Sequence, residues 1–138
     1  MSLHIEQRES EGITILDVDG SLTMGHGDSE LRDTLAALHR SGTINIVLNL
    51  KAVSHIDSAG LGALVFGLAR LRKADGRLAL VNLNRTHLEL FILTRLALAF
   101  EFFGDEQDAV NSFFPGRTPK RYDILEVVQQ EDARTSSH

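Results

Sequence analysis

The sequence contains no cysteine and no tryptophan, and only 2 of its 138 residues are proline. The absence of cysteine excludes disulfides, thiolate zinc sites, redox dithiols and cysteine nucleophiles. An excess of positive charge is also missing, because the formal net charge is -5. Binding to nucleic acid or to an anionic membrane is therefore not expected as the main function, which leaves a protein or a small molecule as the partner.

Long apolar runs are equally scarce. The longest, at residues 88–103, is interrupted by three charged side chains and falls short of the ~20 apolar residues of a membrane-spanning helix. The first ten residues also carry three charged side chains where a signal peptide has its apolar stretch. We expect a cytoplasmic protein with no membrane partner.

The chain length fits one compact domain with a core that needs no disulfide or metal. Two prolines and a glycine break the chain between residues 115 and 119. We therefore predict a domain over residues 1–114 and a C-terminal tail over residues 115–138. Segment 122–128 of this tail is too apolar to be fully solvated, so we expect it to dock on the domain or on a second copy. The apolar side chains that would dock are Ile124, Leu125, Val127 and Val128.

Hydrophobic periodicity predicts an α/β fold. Alternating apolar residues indicate a hairpin with its turn at Glu11 and Gly12. After the hairpin the same unit occurs twice: a helix that ends in glycine, followed by a buried strand. The predicted helices run from Asp28 or Ser29 to Gly42, from Ala59 to Gly76, over residues 86–98 and over residues 105–113; the later strands span residues 44–50, 78–83 and 100–103. Right-handed crossovers would join them into a mixed, mostly parallel sheet of four to five strands with about four helices packed on it.

One motif resembles that of an enzyme. Residues 15–22 read ILDVDGSL, which resembles the first motif of haloacid dehalogenase-type phosphatases. In that family the first aspartate is the nucleophile, the second is the general acid, and Mg²⁺ bridges the carboxylates and the phosphate; Asp17 and Asp19 would take these roles. The lysine and hydroxyl residues that would neutralise the phosphate do not follow at the matching strand ends, so a strand end with a turn at Gly20 is the favoured interpretation.

A second motif is more specific. Residues 53–62 read VSHIDSAGLG and follow a buried strand that ends in IVLNL. This strand-to-helix segment resembles the phosphorylation loop of STAS-domain proteins, in particular bacterial anti-sigma factor antagonists. The likeness extends from residue 3 to residue 114 and includes Gly20 and Leu22 after the second strand.

The resemblance implies a partner-switching protein rather than an enzyme. The unphosphorylated antagonist binds an anti-sigma factor serine kinase, and the kinase ends this binding by phosphorylating Ser58. The surface offered to the kinase would comprise Asp57, Ala59, Gly60, Leu61 and Gly62, flanked by the loop of Thr23, Met24 and Gly25. Thr23 replaces an aspartate that is frequent in relatives, and Ala59 replaces a second serine.

Local chemistry is consistent with a switch at Ser58. The serine stands where a helix N-cap is expected, so the N–H groups beyond it could receive phosphate oxygens. Two glycines in the first turn cost roughly 0.5 to 1 kcal/mol each relative to alanine, which suggests a turn kept open for a partner.

We predict no catalytic residue, no cofactor and no metal site, because the six histidines lack paired ligand spacing. Two alternatives stay open: the magnesium-dependent phosphatase, and a scaffold subunit in which Ser58 is not switched. The sequence also leaves a homodimer open.

Overall fold

The computed structural model describes residues 3–136, which form one five-stranded sheet and five helices. The strands are β1 (Leu3–Ser10), β2 (Ile13–Leu22), β3 (Asn45–Ile56), β4 (Arg77–Val81) and β5 (Glu101–Phe103). The helices are α1 (Gly27–Arg40), α2 (Ser58–Lys73), α3 (Arg85–Leu93), α4 (Glu106–Asn111) and α5 (Ile124–Ser136). The predicted α/β class with a mixed sheet is confirmed.

The strands lie in sequence order across the sheet. β1 and β2 form the predicted antiparallel hairpin, and the pairs β2–β3, β3–β4 and β4–β5 are parallel. Glu11 and Gly12 make the hairpin turn, and both have positive φ angles. The short edge strand predicted at residues 100–103 is also present, as β5.

Two apolar layers cover the sheet. The larger one joins one face to α1, α2, α3 and α5 through residues such as Leu35, Leu64 and Phe91. The smaller one packs α4 against the other face, where Ala109 and Val110 meet Val47 and neighbouring strand residues. Helices on both faces explain why β3 and β4 are apolar at consecutive positions.

Two elements, β3 and α3, end five or more residues from their predicted ends. β3 continues to Ile56 because its second half pairs with β2 beyond two register shifts, whereas its pairing with β4 stops at Asn49. α3 ends at Leu93 instead of residue 98, and Arg95 adopts a positive φ of 62° just after it. α1 also begins before Asp28 and Ser29, at Gly27, and its N-cap His26 makes no side-chain capping bond.

The tail packs back on the domain and forms a helix that the sequence did not predict. The Tyr122 N–H donates to the Phe102 carbonyl at 3.0 Å, and Arg121 makes a β-bridge with Phe103. Ile124 and Val128 are buried in the larger apolar layer. Leu125 and Val127 are only partly buried, and a domain boundary at residue 114 stays a prediction.

Candidate phosphorylation and partner-binding site

Asp57 connects β3 to α2 and organises the start of the helix. Its backbone is extended, with φ at -108° and ψ at -173°, and its Oδ1 accepts from the Gly60 N–H at 2.9 Å. Its own N–H donates to the Leu22 carbonyl of β2 at 3.3 Å. Asp57 is thus the N-cap of α2, and the prediction that Ser58 occupies this position is wrong.

Ser58 is the first residue of α2, and its side chain is exposed. Asp57 already occupies the Gly60 N–H, and the Leu61 N–H donates to the Asp57 carbonyl at 2.9 Å. Those two N–H groups are therefore already engaged and do not await a phosphate. Ser58 presents its hydroxyl outward beside an anionic cap.

The Asp57 carboxylate also fixes the loop that follows β2. Its Oδ2 accepts from the Met24 N–H at 2.9 Å, so one side chain holds both the loop and the helix. This bond, followed by the bond from Gly60, lowers the pKa of Asp57 below its usual value. The carboxylate is accordingly ionised at neutral pH.

The loop of residues 23–25 displays a large apolar side chain. Met24 is 76% exposed, and Gly25 takes a positive φ of 106° that lets the chain turn into α1. The Thr23 carbonyl accepts from the Asp28 N–H at 3.0 Å. The structure thus places the predicted flanking loop directly against Asp57, next to Ser58.

Gly60 has a structural reason that the sequence analysis missed. A Cβ atom at this position would overlap the carbonyl oxygen of Leu22 and lie 2.9 Å from its carbonyl carbon. The start of α2 therefore approaches the end of β2 too closely for any side chain. Gly62 differs, because a Cβ there would meet only the Arg32 guanidinium, at 3.3 Å.

Not every predicted surface residue is accessible. Gly60 and Leu61 are buried, with Leu61 in the larger apolar layer. By contrast, Val65 and Phe66 are 39% and 40% exposed. Val65 has the helical spacing of the buried Leu61 and Leu68, yet its side chain lies at the surface. Val65 and Phe66 follow Ser58 by seven and eight positions, so they extend its face of α2.

The enzyme-like motif lies inside β2, which continues to Leu22, so the predicted strand end and turn at Gly20 are wrong; Gly20 pairs with both neighbouring strands at a positive φ of 112°. Asp17 accepts two hydrogen bonds from Arg8, at 2.6 and 3.0 Å, and one from the Asn49 amide at 2.8 Å. The Arg8 bond is the main cause of the lowered pKa of Asp17. Arg8 also pairs with Glu106 of α4. Asp17 therefore acts as the acceptor of an ion-pair network that connects β1, β2, β3 and α4.

Within the described part of the chain, no group of three or more histidine, aspartate or glutamate side chains is placed to hold a metal ion. No helix between residues 3 and 136 is both long enough and apolar enough to cross a membrane.

Comparisons with known proteins agree with this architecture. The chain is 32% identical over 96 residues to the anti-sigma-B factor antagonist of Staphylococcus aureus strain NCTC 8325, a match that covers 70% of this chain and 88% of the relative. An anti-sigma factor antagonist from Mycobacterium paratuberculosis has a similar structure, with a TM-score of 0.72, 22% identity and coverage of 80% of this chain and 93% of the other. The Bacillus cell fate determinant SpoIIAA in its phosphorylated form matches with a TM-score of 0.63, 19% identity and coverage of 80% and 100%.

The model of one protein family spans most of the fold. It is the STAS domain, and it matches residues 4–109, from β1 into α4. This range includes the Asp57–Ser58 site and the loop of residues 23–25, and it ends before the tail. Together with the antagonist of Staphylococcus aureus, this match shows that the chain belongs to the STAS-domain family.

Proposed function

We propose that the protein is a cytoplasmic anti-sigma factor antagonist that binds an anti-sigma factor serine kinase through the surface around Ser58. Phosphorylation of Ser58 by that kinase would end the binding. The single observation that carries the proposal is the exposed hydroxyl of Ser58 at the first position of α2, directly after the Asp57 cap. The names of the relatives support the antagonist function, and the phosphorylated form of SpoIIAA supports regulation by phosphate.

The proposed surface combines exposed apolar side chains with the small hydroxyl of Ser58. Met24 contributes from the loop, and Val65 and Phe66 contribute from the exposed face of α2. Ser58 lies at the start of the same helix face. Exposed apolar side chains beside a small hydroxyl suit a protein partner whose contact depends on close approach.

Phosphate at Ser58 would change this surface mainly through charge. A phosphoserine adds about 1.5 to 2 negative charges at neutral pH. The neighbouring Asp57 is already ionised, and its carboxylate already occupies the N–H groups of Met24 and Gly60. The added charge is therefore poorly neutralised locally and stays directed at the partner. We expect the loss of affinity to be a few kcal/mol, or about 100-fold.

The fold should tolerate the modification. Ser58 is exposed, and its hydroxyl makes no hydrogen bond within the described residues. Substitutions at exposed positions of this kind change stability by about 0.5 kcal/mol or less. A loss of binding in a Ser58 variant would then report on the surface rather than on unfolding.

The test compares Ser58→Asp and Ser58→Ala with the wild type. In a pull-down from native extract, the wild type and Ser58→Ala should retain the kinase, while Ser58→Asp should lose it and keep its circular dichroism spectrum and thermal stability. Thr118→Asp is the matched control, because it places the same charge at an exposed residue of the tail. It should retain the partner.

Mapping of the phosphate completes the test. After incubation with the captured kinase and ATP, mass spectrometry should place the phosphate on Ser58 of the wild type and find none in Ser58→Ala. Labelling of Ser54 or Thr23 with Ser58 unmodified would refute the assigned acceptor. Undiminished binding by the phosphorylated protein would refute the mechanism.

A further inference from the structure

A cleft opens where the parallel strands β3, β4 and β5 end. The pairing of β3 with β4 stops at Asn49 and Val81, after which β3 continues beside β2 while the chain turns away through Asn82. The resulting space has a volume of about 390 Å³, which lies in the range of small-molecule sites. Ligands of open α/β sheets commonly bind outside the carboxyl ends of the strands.

The walls of the cleft combine one cation with polar groups and an apolar floor. Lys51 supplies the cation, and none of the residues that line the cleft is acidic although the whole chain is negatively charged. No carboxylate among the described residues pairs with the Lys51 ammonium group. Leu88 and Phe102 form part of the floor and are buried. The cleft thus offers a positive charge next to apolar surface.

Two asparagines that line the cleft are held in place by the fold. The Asn82 amide donates to Asn49 Oδ1 at 2.9 Å, and its backbone adopts a φ of 64°. Asn84 Oδ1 accepts the His87 N–H at 2.8 Å as the cap of α3, so the NH₂ group of Asn84 is not used by the cap. Fixed polar groups of this kind can orient a ligand without a large loss of side-chain entropy.

The tail completes the cleft. Tyr122 forms one wall, and its N–H is bound to the Phe102 carbonyl. Its ring lies against Gly104, where a Cβ atom would come within 3.3 Å of Tyr122 Cδ1. Since the STAS match ends at residue 109, this wall comes from the part of the chain outside the matched domain.

We infer that this cleft binds a small organic carboxylate with an apolar body, such as a short-chain fatty acid or an aromatic acid. The Lys51 ammonium pairs with the carboxylate, and the Asn84 amide and the Tyr122 hydroxyl are the further donors on its walls. The apolar part of the ligand lies against the partly exposed Leu83 and Tyr122, above the buried Leu88 and Phe102. One cation matches one negative charge, whereas a phosphate dianion is usually met by several donors or by an arginine fork. This inference does not depend on the role of Ser58.

The experiment is a titration of the ¹⁵N-labelled full chain followed by NMR. Hexanoate and benzoate are the probes, and hexanamide and benzamide are their neutral counterparts. Both carboxylates at millimolar concentration should shift the backbone amides of Asn82, Asn84, Gly104 and Tyr122, and the neutral amides should bind more weakly. Shifts that map elsewhere, or equal binding of the neutral compounds, would overturn the inference, as would binding of inorganic phosphate in preference to both carboxylates.

Three variants test the assigned groups. Lys51→Gln should weaken binding about tenfold, the effect expected when a charged hydrogen-bond donor is lost. Lys73→Gln makes the same change at the far end of α2 and should bind like the wild type. Tyr122→Ala should weaken binding while an unchanged spectrum for residues remote from the tail shows that the domain is folded. Wild-type affinity in Lys51→Gln would refute the site.

Discussion

The close approach of α2 to β2 predicts that alanine will affect protein stability differently at Gly60 and at Gly62, two positions in the same helical turn. In Gly60→Ala the new Cβ would overlap the Leu22 carbonyl. The carbonyl oxygen and carbon are backbone atoms of a packed strand, so they cannot move aside as a flexible side chain could. Overpacking of this kind costs about 1 to 3 kcal/mol, and alanine returns at most about 1 kcal/mol through its higher helix propensity. We expect Gly60→Ala to lower the free energy of unfolding by about 2 kcal/mol.

Gly62→Ala is the matched control. Its Cβ would meet only the end of the flexible Arg32 side chain, at 3.3 Å, so the gain in helix propensity should persist. We expect Gly62→Ala to be neutral or up to about 1 kcal/mol more stable than the wild type. Urea denaturation followed by circular dichroism measures both free energies of unfolding, and the two variants should differ by about 2 to 3 kcal/mol. Equal stabilities would refute the argument that Gly60 is required by packing.

Three further predictions concern other parts of the chain. Asp57→Ala should lower the free energy of unfolding by about 1 kcal/mol at neutral pH. Because the pKa of Asp57 is lowered in the folded state, this loss of stability should be complete above pH ~4 and should disappear on further acidification. A loss of stability that is independent of pH would contradict the capping role. Ile124→Ala should lower the free energy of unfolding by about 2 to 4 kcal/mol, whereas Leu125→Ala should lower it by clearly less because Leu125 is only partly buried. Similar thermal melting of the two variants would show that α5 is not packed as described. Asp17→Asn should weaken the pair with Arg8 and lower stability by about 1 to 2 kcal/mol; magnesium-dependent ester hydrolysis that is present in the wild type and lost in this variant would instead establish a phosphatase.

The order of the elements was accessible to sequence analysis because each signal is local. Alternation at residues 3–7 and 13–17 indicated the hairpin, and glycines at positions 42 and 76 marked helix ends before buried strands. A helix over residues 105–113 is also expected from the sequence, and in α4 the Asp105 side chain caps the start by accepting the Asp108 N–H at 2.8 Å. Each of these features depends on residues that are close together in the chain, so a single sequence is enough to predict it.

The errors concern contacts between distant parts of the chain. The reason for Gly60 lies 38 positions earlier, in the backbone of Leu22, and no periodicity reveals such an approach. β3 was predicted to end at Leu50 because its apolar run ends there, but pairing with β2 carries it to Ile56. α5 is not expected from the sequence because the prolines before it signal a break, while the apolar layer that covers Ile124 is formed by residues far from it in the sequence.

The way in which the tail covers β5 restricts how the protein can associate with other chains. A sheet has two outer edges, and an unpaired edge is a template for the addition of a foreign strand. At one edge, β5 is only three residues long and is partly paired by the bridge from Arg121. At the other edge, β1 exposes the charged side chains of Glu6, Arg8 and Glu9. Addition of a foreign strand is therefore disfavoured at both edges of the sheet. A partner protein has to be recognised through side chains of helices and loops, and single substitutions can change such a surface without changing the sheet.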